Sequence, residues 1–98
     1  MFFQWFNSAP AVAFGKELAG FLLGQLQSSA GRRDSKFQAR AEKVLLQADR
    51  RVRDFKGARS LNFWQRSKLS NSFLWTLKDG GCPDDYAAEL TRWLTVRL

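Results

Sequence analysis

Wound as an α-helix at about 100° per residue, Phe37, Ala41, Val44, Leu45, Ala48, Val52 and Phe55 fall inside a single arc of about 100°. A segment with that period buries one stripe against other helices. It does not fit a sheet, whose side chains change face at every residue. No part of the chain alternates with period two over a useful length, so the expected fold class is all-α, without a sheet.

Four segments in all carry helix signals. Residues 8–27 open on Ser8 as the expected N-cap, with Pro10 in the first turn and Phe14, Leu18, Phe21, Leu22 and Leu26 at helical spacing. Residues 35–56 begin at Ser35, with Gln38 three positions on in the form of a capping box, and Gly57 is the expected C-cap. Asn62 and Gln65 repeat the box ahead of a third helix over 62–78, which Asp79, Gly80 and Gly81 close. A fourth runs from Pro83 to the C-terminus, with Asp84 and Asp85 at the positive end of its dipole.

Four helices in 98 residues make one domain, a compact bundle over residues 1–98. Residues 1–7 form an aromatic arm, with four rings among the first six positions. Packing across the bundle is its expected role, and peripheral contact with a membrane surface the alternative. Gly20 and Gly24 have the small-xxx-small spacing expected where two helices approach closely.

The net charge of +7 is local. Residues 32–68 hold twelve basic and four acidic side chains, while the rest of the chain holds four basic and five acidic ones. On the second helix the signs are sorted: Lys36, Arg40, Lys43, Arg50 and Arg51 fall on one flank of the apolar stripe, Glu42 and Asp49 on the other. Asp54 closes the basic flank and is placed to pair with Arg50, as Asp49 is with Arg53. Such a flank suits a polyanion, and the candidate surface takes in Arg32, Arg33, Arg59, Arg66 and Lys68 as extensions. The bland reading is a solvated face, or one met by Asp84, Asp85 and Glu89 of the last helix.

On the third helix Phe63, Leu69, Phe73, Leu74 and Leu77 are expected to form the apolar arc, with Trp64, Lys68, Asn71 and Trp75 along a flank outside it. Two indoles around a lysine and an amide are candidates for stacking on bases. The area an indole gains by burial favours a core position instead, with the helix packed between two neighbours. Leu46 falls opposite the core stripe of the second helix, a candidate anchor for a protein partner.

Little catalytic chemistry is on offer. Histidine is absent, which removes the usual acid–base group near neutral pH and the commonest metal ligand. Cys82 stands alone beside Pro83, without a base to activate it, and a capping or packing role is expected. No metal, cofactor or catalytic site is expected. No run of eighteen apolar residues occurs and the greasy N-terminus lacks a basic leader, so neither a membrane span nor a signal peptide is expected, and a cytoplasmic home is. The function these features favour is a small non-catalytic module that binds nucleic acid without strong sequence specificity. The alternative is a protein–protein adaptor or inhibitor that docks an acidic partner through the same basic helix.

Overall fold

A computed structural model describes residues 7–26, 35–58 and 60–98, the side chains of residues 35–38 excepted. It contains four helices: α1 (Ala9–Leu26), α2 (Ser35–Ala58), α3 (Phe63–Asp79) and α4 (Asp84–Arg97). No strand occurs among the described residues. The fold is the all-α bundle the periodicity calls for. The aromatic residues 1–6 and the box side chains Ser35 and Gln38 lie outside the described set.

Local chemistry sets the helix ends. The first free amide of α1, Ala9 N–H, donates to Asn7 Oδ1 at 3.3 Å, so a side-chain acceptor sits one residue earlier than Ser8. Ser8 supplies its carbonyl, to Val12 N–H at 2.8 Å. The capping box before α3 is complete: Gln65 N–H donates to Asn62 Oδ1 at 2.8 Å and Asn62 N–H to Gln65 Oε1 at 3.1 Å.

α3 ends in a Schellman turn. Cys82 N–H reaches Leu77 O and Gly81 N–H reaches Lys78 O, both at 3.0 Å, and Gly81 supplies the left-handed φ of +91° that this turn requires. Cys82 thereby has a structural place, half-buried against the core. α4 follows Pro83 at once, with Asp84 and Asp85 in its first turn. Gly57 differs from expectation: α2 continues through it to Ala58, and its φ is not positive. It sits exposed on the last turn, so no cap geometry forms there.

α1 and α3 run parallel and side by side. Gln65 Nε2 donates to Asn7 O at 3.0 Å, Ser72 Oγ to Val12 O at 3.1 Å, and Leu23 lies against Gly80, so the two helices advance together. Gly15 permits the approach. A Cβ there would overlap Ser72 Oγ and fall 2.5 Å from Leu69 O, inside any tolerable contact. The close-packing glycine is therefore Gly15. Gly20 and Gly24, expected in that role, are exposed, and a Cβ added at either would meet nothing within 4 Å. They fall on the side of α1 opposite Leu18 and Leu22, which face the core.

α2 lies antiparallel to α1. Phe14 stacks on Phe55 with centroids 4.2 Å apart and rings 8° from parallel, and Arg51 rests 4.1 Å over the Phe21 ring. α4 returns along α3, and its last turn meets α2: Arg97 Nε binds Asp49 Oδ1 at 3.1 Å and Lys56 Nζ donates to Arg97 O at 2.6 Å. The order around the bundle is α1, α3, α4, α2. Its interior is closed by Leu18 and Leu22 from α1, Leu69, Phe73 and Leu77 from α3, and Leu90 and Leu94 from α4, with Ala41, Val44, Ala48 and Val52 from α2. No polar or charged side chain is buried among the described residues.

Phe63 does not join this core. It is 79% exposed, at the first position of α3 and about 120° of rotation from Leu69, the first buried residue of that helix.

Candidate functional site

The basic flank of α2 follows directly from its period. The same rotation that buries Ala41, Val44, Ala48 and Val52 leaves Arg40, Lys43, Arg50 and Arg51 exposed, along about 16 Å of helix. Lys36 falls on the same helix, with its side chain outside the described set; Arg32, Arg33 and Arg59 also lie outside it.

One acid, Asp54, shares the flank; Glu42 and Asp49 fall on the other side of α2. Asp49 faces α4 and is held by Arg53 Nε at 3.0 Å, the expected pair, and by Arg97 across the helix interface. The expected Arg50–Asp54 pair does not form: no ion pair joins them, and both side chains are exposed to solvent. Asp84 and Glu89 are exposed on α4, and no ion pair joins either of them to a described cation of the flank. The α2–α4 contact runs instead through Asp49, Lys56 and Arg97, on the other side of α2. Arg51 has two roles: its guanidinium covers Phe21 at the α1–α2 seam while the side chain stays exposed.

Two of the expected extensions are not part of this flank. Arg66 turns its guanidinium to Leu61 O, with Nε and Nη2 at 3.2 and 3.1 Å, and so closes the turn between α2 and α3. Lys68 sits half-buried on α3, its ammonium 4.8 Å over the Trp64 ring.

The indoles of α3 are at the surface, which corrects the core placement that burial area favoured. Trp75 is 57% exposed and Trp64 37%. α3 does pack between two neighbours, α1 and α4, but both press on the arc that holds Leu69, Ser72, Phe73 and Leu77. The Trp flank lies beyond the α1 contact, on the outside. Lys78 Nζ stands 5.1 Å over the Trp75 ring, and Asn71 is exposed between the two indoles. Leu46 is 66% exposed, as its place opposite the stripe requires, between Lys43 and Arg50.

A cleft of about 330 Å³ opens at one end of the bundle, lined by Asn7, Pro10, Ala11, Phe55, Ser60, Leu61 and Gln65. None of these side chains ionises. Among the described residues no group of three His, Cys, Asp or Glu is placed to hold a metal ion, and no helix is long and apolar enough to cross a membrane. No protein-family model, no curated protein and no solved structure matches this chain.

Proposed function

We propose that this chain is a small non-catalytic module that binds nucleic acid, without strong sequence specificity, through the basic flank of α2. One observation carries the reading: four cations stand exposed along one side of a helix whose partly covered acid, Asp49, is already occupied by Arg53 and Arg97. The flank therefore presents a net positive charge, and phosphates would release counterions on docking there. A nucleic-acid ligand also fits the cytoplasmic home that the sequence favours.

About four phosphate contacts give a log–log salt slope between roughly −2.8 for a single strand and −3.6 for a duplex. Lys43 and Arg50 are exposed and make no ion pair with another described residue, so Lys43→Gln with Arg50→Gln leaves the fold alone. That double variant should flatten the slope by about 1.4 to 1.8 and weaken binding for all sequences alike, read by anisotropy of labelled 20-mers. Absence of binding by the parent protein at about 50 mM salt overturns the reading.

A second reading draws on Leu46. An exposed leucine between Lys43 and Arg50 is the arrangement an acidic protein partner would use as anchor and rim. A stoichiometric acidic protein that survives nuclease treatment and is lost on Leu46→Ser would favour it.

A further inference from the structure

We propose that the nucleic acid is single-stranded and crosses α1, from the basic flank of α2 to Trp75 of α3, where one base stacks on the indole. This rests on the nucleic-acid reading above and adds the ligand's form and its path.

The geometry brings the two surfaces to one side of the molecule. Arg51 reaches over Phe21, so the basic flank of α2 borders α1 directly. Trp75 is three residues beyond Ser72, whose hydroxyl is bonded to Val12 O, so the Trp75 flank borders α1 from the other edge. Between them lies the outward side of α1, where Ala13, Lys16, Gly20 and Gly24 are exposed.

The register aligns the pieces. Val12 meets Ser72 and Leu23 meets Gly80, which puts Gly20 level with Lys78; Phe21 meets Arg51, which puts the same turn level with that guanidinium. With helix axes about 8–10 Å apart, the span from α2 to α3 across α1 is on the order of 20 Å. Gly20 and Gly24 are no site of their own, but they leave the floor of this path low, and no described residue occupies the space above them.

Trp75 selects the ligand. An indole stacks on a base only where the base face is free, which holds in a single strand and not inside a duplex. Lys78 over the ring supplies a cation beside the stacked base, and Lys16 another on α1, both suited to the flanking phosphates. The acids on this side are Glu17, Asp54 and Asp79, against Lys16, Arg40, Lys43, Arg50, Arg51 and Lys78, so the path is positive on balance.

The test compares a labelled oligothymidine 20-mer with a duplex of equal length, at about 50 mM salt, for the parent, Trp75→Ala, Trp75→Phe and the Lys43→Gln/Arg50→Gln variant. Trp75 is exposed, so each variant should keep the parent's circular dichroism and thermal midpoint. Support is a tighter hold on the single strand than on the duplex, weakened about 5- to 100-fold by Trp75→Ala and largely restored by Trp75→Phe, with duplex binding unchanged within about twofold. Single-strand binding that Trp75→Ala leaves intact while the α2 variant weakens it overturns this inference and keeps the broader reading. So does a preference for the duplex. Binding of neither ligand by the parent overturns both.

Discussion

α3 and α2 flank α1 on either side, and they are held to it by different means. α3 meets α1 through backbone: Gly15 lets Leu69 O and Ser72 approach, and Ser72 Oγ bonds Val12 O directly. α2 meets α1 through long side chains, the Phe14–Phe55 stack and Arg51 over Phe21, while its buried positions among the described side chains are Ala41, Val44, Ala48 and Val52. α3 in turn contributes Leu69, Phe73 and Leu77, all essentially fully buried. The rigid part of the bundle is thus the α1–α3 pair, and the charged helix is the one attached more lightly. A helix can carry a solvent-facing row of cations when its own contribution to the core is narrow, because changes on that row do not reach the packing.

The largest effect should come from the tight contact. Gly15→Val places branched carbon where Leu69 O and Ser72 Oγ already sit, and forcing the helices apart should cost about 3 kcal/mol in urea unfolding. A variant as stable as the parent would show that the two helices do not approach this closely. The lighter attachment should respond less. Asp49→Ala removes the acceptor shared by Arg53 and Arg97, with an expected loss of about 1 kcal/mol, since both guanidinium groups regain water. Trp93 emission should move as well, because Arg97 lies 4.3 Å over its ring. A loss above about 3 kcal/mol would place α2 in the rigid part and erase the contrast. The smallest change has the opposite sign. Gly20→Ala, in an exposed helix interior with open space around it, should raise stability by about 0.5–1 kcal/mol. Destabilisation there would mean that Gly20 has a packing partner after all.

Much of the fold is legible in the sequence because helix period and caps are local properties. Asn62 and Gln65 satisfy each other's backbone amides whatever the rest of the chain does. The sorted charges of α2 are equally local, being fixed once Ala48 and Val52 point inward. What depends on neighbours is harder to see. Gly15 and Ser72 hold the closest helix crossing, yet neither adds to an apolar pattern, so the pattern is silent about them. Gly20 and Gly24 match a packing motif on the side of α1 that no described helix covers. Trp64 and Trp75 look like core by size, and only the narrowness of the α1 contact leaves them outside. The signal that could have found them is their offset from Leu69, Phe73 and Leu77, about 120° or more of helix rotation for most pairs.

The parallel pairing of α1 with α3 has a consequence for how the chain comes to be folded. Ser72 and Val12 are 60 residues apart in sequence, whereas α2 follows α1 after a short connection and α4 follows α3 almost at once. The contact that excludes most water is therefore among the most distant along the chain, and closing that loop precedes any reward from it. On a ribosome adding about 5–20 residues per second, α1 would wait roughly 3 to 12 s for its principal partner. During that interval Leu18, Leu22 and Leu26 have only α2 to cover them, and the described side chains that α2 buries are alanine and valine, with Leu45 and Phe55 half-buried beside them. A nascent α1–α2 hairpin would then be the species most exposed to off-pathway association, and like charge along its outer row of cations would oppose the approach of neighbouring copies.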